Sequence, residues 1–310
     1  MTGNCSFEAV DQLMKPLELV IYVPIFLIGL FCNLGALYVF CCSLSKWTET
    51  TIYMTSLALM DLVLLIPLPF KMHAANHLWP AHLQPFCSVL ESLYFFGIYG
   101  SIYTITSIAI DRWLAICHPF KPGSGVHVKK PWDLRMCVVL VLIVVSTTIS
   151  SFRKGGQAEF HCFHSFSTAG WRPVVIICLQ VFGFLLPAMV LVFCSVKLIR
   201  TLQQSGQQSP QSRAYVKYTY SSMCAFLLPL TPCHLAILLQ FLVHQGVIQD
   251  CGAQARISLF IQLSLCLSNV TSCLDALCYY FITLEVKSAR HSFRLSTVGL
   301  RRPTCSTSEV

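Results

Sequence analysis

Apolar residues gather in long runs separated by short polar stretches. A run of about 20 apolar residues crosses a bilayer as a helix. In lipid a segment must satisfy its own backbone hydrogen bonds, which a helix does. The runs predict seven spans, near 17–42, 52–73, 87–115, 134–152, 172–200, 214–243 and 256–282. Polar residues interrupt the third, and the sixth carries Pro229 and Pro232. Residues 205–212 form a polar linker between the fifth and sixth. The expected architecture is an all-α membrane protein: an extracellular N-terminus over 1–16, a seven-transmembrane helix bundle over 17–282, and a cytoplasmic amphipathic helix and tail over 283–310. No internal repeat is evident. No charged-plus-apolar leader precedes the first span, which is expected to serve as an uncleaved insertion signal.

Composition agrees. Of 310 residues, 55% are hydrophobic and 11% charged, against about 25% charged in a soluble domain. The net charge of +8 is a matter of topology. One set of loops and the tail hold fifteen Lys and Arg, from Lys46 through Arg112 and Lys197 to Arg302, and the opposite set holds five. Basic loops stay cytoplasmic, so the N-terminus is expected outside and the C-terminus inside. No nucleic-acid partner is expected. Asn4 then heads an extracellular glycosylation sequon, Asn4-Cys5-Ser6. The sequon at Asn269 lies within a span and is not expected to be modified.

Of the 17 cysteines, most fall in spans, where a thiol behaves as a small hydrophobe. Cys5, Cys87, Cys162 and Cys251 fall on the oxidising outer side. Two bridges, Cys87–Cys162 and Cys5–Cys251, are expected there, with unpaired thiols as the alternative.

Ionisable groups inside a membrane are costly and mark function. Asp61 and Asp275 lie mid-span, with Ser101 and Asn33 at similar depth. Their oxygens suit a sodium ion or a water cluster; an interhelical hydrogen-bond network is the other reading. Lys71 lies ten residues beyond Asp61, nearly three turns toward the outside. It pairs with Glu91, binds an anionic ligand, or snorkels to the interface. Arg153, Lys154, Arg172, Arg256, His161 and His164 make the outer vestibule basic and attractive to phosphate or carboxylate. Asp111 and Arg112 form an ion pair at the inner end of the third span, ahead of Trp113 and Pro119. The chain ends Thr307-Ser308-Glu309-Val310, a form that a PDZ domain takes as an added strand.

Several of these residues match one pattern in order and spacing. Asn33, the run Leu57-Ala58-Leu59-Met60-Asp61, Cys87 standing 25 residues before Arg112, Asp111-Arg112-Trp113, Pro187, Pro232 and Asp275-Ala276-Leu277-Cys278-Tyr279 resemble the signatures of rhodopsin-like (class A) G-protein-coupled receptors over roughly 15–295. The stretches at Phe70-Lys71-Met72, Tyr94-Phe95, 181–187, 239–243 and 278–281 are most similar to the lysophosphatidylinositol-receptor branch, with the kynurenate-responsive branch behind it. The resemblance implies a plasma-membrane receptor for an anionic lipid such as lysophosphatidylinositol. It also implies a heterotrimeric G-protein of the Rho-activating class, and arrestin recruited to a phosphorylated tail. It places Lys71, Glu91 and Tyr94 in the ligand pocket, and Tyr99, His234, Gln240, Arg153 and Arg256 complete the expected set. Asp111, Arg112, Pro119, Pro232 and Tyr279 are the expected coupling and switching residues. The cofactor expected is none, or a sodium ion at Asp61, Ser101 and Asp275.

The departures are specific. Trp113 replaces the usual Tyr, Leu230 a common aromatic switch, and Ala276 a helix-kinking proline; the stretch 134–152 has no Trp. Ser212 stands where some receptors hold an acid that locks the third-span Arg. Tyr94 stands where amine receptors carry Asp, and Asn269 where opsins carry the retinal Lys. Alternatives are a receptor for a small aromatic carboxylic acid, a transporter using the intramembrane carboxylates, and a receptor-like protein that binds without signalling. No metal-binding His/Cys spacing, nucleophile elbow or phosphate loop points to an enzyme.

Overall fold

The computed structural model describes residues 5–43, 49–117, 159–160, 162–163, 170–204 and 210–276. Six helical segments among them are long and apolar enough to cross a membrane: Glu8–Cys42, Thr51–Asn76, Ala81–Cys117, Pro173–Gln204, Val216–His244 and Cys251–Ala276. They correspond to the expected spans other than the fourth. The stretch 134–152, the region after 282, Asn4, Pro119, Arg153, Tyr279 and Val310 lie outside the described residues.

Helix α1 (Glu8–Tyr38) starts nine residues before the expected apolar run and passes through Pro16 and Pro24. Glu8 and Asp11 occupy its first turn, where carboxylates suit the positive end of the helix dipole. Its buried face is Met14, Glu18, Tyr22, Ile25, Gly29 and Asn33, steps of three and four that keep one side of a helix inward. The expected second span is two helices, α2 (Glu49–Leu65) and α3 (Leu68–Asn76). Pro67 and Pro69 lie at the junction, and a proline has no N–H for the helical ladder.

Helix α4 (Gln84–Cys117) is the long third span. The fifth span comprises α5 (Pro173–Gln180), a π-helical turn over Val181–Leu185, and α6 (Leu186–Gln204). Pro187 explains the wide turn. Its ring cannot donate to the Gly183 carbonyl and would collide with it in a regular helix. Helix α7 (Pro210–His244) contains Pro229 and Pro232.

Helix α8 (Cys251–Ser268) is capped by Asp250, which accepts from the Ala253 amide at 2.6 Å. It breaks at 269–270 and resumes over 271–276. No proline stands at the break. The carbonyls around it are bonded by side chains instead: Ser268 Oγ donates to Leu265 O (2.8 Å), Asn269 Nδ2 to Leu265 O (2.6 Å), Thr271 Oγ1 to Ser268 O (2.9 Å) and Ser272 Oγ to Asn269 O (2.9 Å). Such local bonds compete with the helical ladder, so the seventh span bends although Ala276 replaces the expected proline.

The helices close into a ring. Helix α1 packs on α2, α3 and α8, α8 on α7, α7 on α6, α6 on α4, and α4 on α2. Gly97 of α4 permits the α2 contact, since a Cβ there would lie 2.6 Å from the Leu64 amide nitrogen. Large apolar side chains such as Phe31, Val174 and Leu228 face outward, as a lipid-immersed bundle requires. At the outer end, β1 (Trp79–Pro80) pairs antiparallel with β2 (Glu159–Phe160). Both expected disulfides are present, Cys87–Cys162 with Cα atoms 5.9 Å apart and Cys5–Cys251 at 5.4 Å. One fastens the outer loop to α4, and the other ties the segment before α1 to the start of α8.

Candidate functional site

Among the described residues, buried polar groups interrupt the apolar interior at several levels of the bundle. The outermost surrounds Lys71 of α3, a residue 7% exposed. Its ammonium lies 5.1 Å from the ring centroid of Tyr22 on α1 and 4.9 Å from that of Tyr94 on α4. A cation over an aromatic face is attracted by the ring quadrupole. Two bonds tie the rings to the seventh span. Asn269 Nδ2 donates to the Tyr94 hydroxyl at 3.1 Å, and Cys266 Sγ lies 3.3 Å from the Tyr22 hydroxyl.

The considered Lys71–Glu91 pair is not made: among the described residues Lys71 has no ion-pair partner within 4 Å. Glu91 lies one turn outward of Tyr94, where its carboxylate accepts from the Phe163 amide at 3.2 Å. Phe163 holds φ of +68°, a left-handed conformation that side chains resist, beside the disulfide at Cys162. Glu91 thus holds the outer loop in place. Snorkelling is also excluded by the burial of Lys71.

Two residues beside Lys71 are absent from the expected set. Tyr22 supplies one ring. Glu18, 6% exposed, lies one turn outward on the same face of α1. The signal that reveals them is the spacing of the inward face of α1 counted outward from Asn33.

The remaining expected ligand residues divide. Tyr99 is buried against Gly183, where a Cβ would approach its ring to 2.8 Å. His234 is buried and joins α7 to α5. Its Nδ1 lies 3.2 Å from Gln180 Oε1, Gln180 Nε2 donates to His234 O at 2.8 Å, and its ring stacks on Phe184 at 4.7 Å. An amide oxygen only accepts, so this nitrogen carries the proton. Gln240 has a buried, unpartnered Oε1. Arg256 is exposed on α8.

The middle group joins the expected residues. Ser101 Oγ donates to Asp61 Oδ1 at 2.8 Å. Asn33 Nδ2 donates to Gly29 O and to Ser272 O, each at 2.9 Å, linking α1 to the seventh span. Asp61 and Asp275 are both buried. Asp61 Oδ2, Asp275 Oδ2 and Asn33 Oδ1 are buried acceptors without a donor among the described residues. The cluster is short of donors, and either protons or a hard cation balances it.

At the inner end, Arg112 Nε lies 3.9 Å from Asp111 Oδ2. Arg112 faces a cleft between α4, α6 and α7, lined also by Ser195, Leu198, Tyr218 and Ser222. Trp113, in the usual Tyr position, packs edge-on against Phe193 of α6 at 5.7 Å. Leu230 is buried beside Tyr99 and Phe226 in the core, two residues before Pro232.

Residues 32–279 match the 7 transmembrane receptor (rhodopsin family). The chain belongs to that family. It is a multi-pass membrane receptor of the G-protein-coupled class. It is 37% identical to the G-protein coupled receptor 55 of Mus musculus over 96% of this chain and 95% of the relative. It is 31% identical to the human G-protein coupled receptor 35 over 86% and 84%. It is 29% identical to the lysophosphatidic acid receptor 4 of Mus musculus over 96% and 81%. These relatives are named as receptors, neither enzymes nor transporters.

Proposed function

We propose that this chain is a plasma-membrane receptor for an anionic lipid such as lysophosphatidylinositol and that it activates a heterotrimeric G-protein of the Rho-linked class. The observation that carries the reading is Lys71, a buried ammonium between two aromatic faces with no carboxylate within ion-pair distance among the described residues. An anionic headgroup would supply the direct ion pair that Lys71 lacks there. The acyl tail packs among apolar side chains of the bundle. A relative named for lysophosphatidic acid supports an anionic lipid over an amine, for which Tyr94 offers no counter-ion. A small aromatic carboxylate is the second reading, favoured by the facing rings of Tyr22 and Tyr94.

Binding signals only if it favours one helix arrangement over another. The Asp61–Ser101–Asp275 cluster is the proposed hinge. Its unpartnered oxygens fit a sodium ion, which would be held by Asp61, Asp275, Ser101 and Asn33 and would supply positive charge that favours the arrangement holding those helices together. Movement of α7 about Pro232 then widens the cleft at Arg112 for the G-protein, with Pro119 and Tyr279 in the coupling surface. By the charge rule the N-terminus is outside, with Asn4 glycosylated, and the tail inside. The tail's serines and threonines are proposed to recruit arrestin when phosphorylated, and Val310 to engage a PDZ domain.

The test is G-protein activation in cells with and without lysophosphatidylinositol, with Arg112→Ala as control. A ligand-dependent response that disappears in the control supports the reading. No response at confirmed surface expression contradicts the lipid assignment.

A further inference from the structure

Lys71 would account for the charge of the headgroup, but its surroundings contain more than a cation. Glu18 is 6% exposed, and its Oε2 has no hydrogen-bond partner. It stands one turn outward of Tyr22 on the buried face of α1, and Tyr22 presents its ring to Lys71. Asn269, which bonds the hydroxyl of the other ring at Tyr94, is fully buried. Its Nδ2 is engaged by Tyr94 and by Leu265, while its Oδ1 has no donor. Beside the ammonium stand two buried acceptor oxygens, Glu18 Oε2 and Asn269 Oδ1, neither with a donor among the described residues.

These groups make a demand that a bare anion does not meet. An anion satisfies Lys71 but leaves both acceptors without donors. It also brings negative charge beside Glu18 where little water screens it. The conflict is greater for a phosphomonoester, which carries a charge of about −1.5 to −2 near pH 7, than for a singly charged phosphodiester. A buried acceptor left empty is penalised, and a hydroxyl or ammonium donor relieves it.

We propose that Glu18 is a specificity-determining residue that selects anions carrying hydrogen-bond donors next to the charge, namely a polyol phosphodiester headgroup, over a bare phosphomonoester. The phosphodiester faces Lys71 and the polyol hydroxyls donate to Glu18 and Asn269. The proposal rests on the assignment of Lys71 to the headgroup.

The test compares lysophosphatidylinositol with lysophosphatidic acid of the same acyl chain, by competition binding and by G-protein activation, in the full-length receptor. The wild type prefers the inositol lipid by about ten-fold, the discrimination that one charged hydrogen bond supplies. In Glu18→Gln that preference falls to near parity, chiefly because lysophosphatidic acid binds better. Lys71→Ala weakens both lipids. If Lys71→Ala weakens both and Glu18→Gln leaves the ratio unchanged, the selection role is overturned and the Lys71 assignment stands. If Lys71→Ala changes neither, or neither lipid binds the wild type, the headgroup assignment falls and the selection role with it. A wild type that prefers lysophosphatidic acid also overturns the selection role. Should Glu18→Gln fail to reach the surface, Glu18→Leu is read the same way, since an apolar side chain avoids the cost of a buried charge.

Discussion

Ser101 donates its hydroxyl hydrogen to Asp61 at 2.8 Å, joining α4 to α2 at a level where Asp61, Asp275 and Asn33 each hold a buried oxygen without a donor. A cluster so rich in acceptors takes its balance from protons or from a cation. The account predicts that sodium chloride raises the Tm of the purified receptor relative to N-methylglucamine chloride at equal ionic strength. Asp61→Asn removes the sodium effect. Ser101→Ala weakens it and costs about 1–2 kcal/mol through the lost bond. A sodium effect that persists in Asp61→Asn places the ion elsewhere.

Gly97 lets α4 approach α2 to a distance that no side chain allows, with a built Cβ 2.6 Å from the Leu64 amide nitrogen and 2.7 Å from Leu64 Cα. The obstacle is backbone and cannot swing aside. Gly97→Ala should destabilise the receptor by about 1–3 kcal/mol, the usual cost of overpacking. Thermal unfolding in detergent checks this. The same substitution at Gly35, where a Cβ meets nothing within 4 Å, is the matched control and should leave Tm nearly unchanged.

Glu91 is expected to act apart from Lys71. Glu91 accepts from the Phe163 amide and fixes the outer loop, so Glu91→Gln should lower thermal stability by about 1–2 kcal/mol, the loss of a charge-assisted bond. Its equilibrium affinity for the lipid should stay within about three-fold of wild type, below the ~1.4 kcal/mol that a ten-fold change represents. A large affinity loss with unchanged stability would show that Glu91 contacts the ligand instead.

Much of this was legible in the chain. Long apolar runs fix the spans because the bilayer sets their length, the outer cysteines pair as expected, and Asp61, Asp275, Ser101 and Asn33 are all buried. Glu18 is harder to see. It lies in an apolar run near the outer end, where a carboxylate reads as interfacial, and only its four-residue step to Tyr22 brings it to the inward face. The break between α2 and α3 follows from Pro67 and Pro69. The bend at 269–270 depends on several side-chain bonds acting at once, which no single residue type announces.

Tyr94 separates ring from hydroxyl. Tyr94→Phe keeps the face toward Lys71 and loses only the bond from Asn269, whose Nδ2 retains Leu265 O. Tyr94→Leu removes the face. Lipid affinity should change little in the first and fall by about ten-fold in the second, in line with a desolvated cation–π contact of up to about 2 kcal/mol. Equal losses in both would assign the effect to the hydroxyl.

The central claim is that Lys71 receives the anionic headgroup, and direct binding tests it. Labelled lysophosphatidylinositol would be titrated onto purified wild type, Lys71→Ala and Lys71→Arg, each with unfolding Tm measured alongside. The account predicts at least about a 30-fold loss of affinity in Lys71→Ala, as expected when one partner of a buried charged pair is removed, with part of the affinity retained in Lys71→Arg. Wild-type affinity in a folded Lys71→Ala receptor would contradict it.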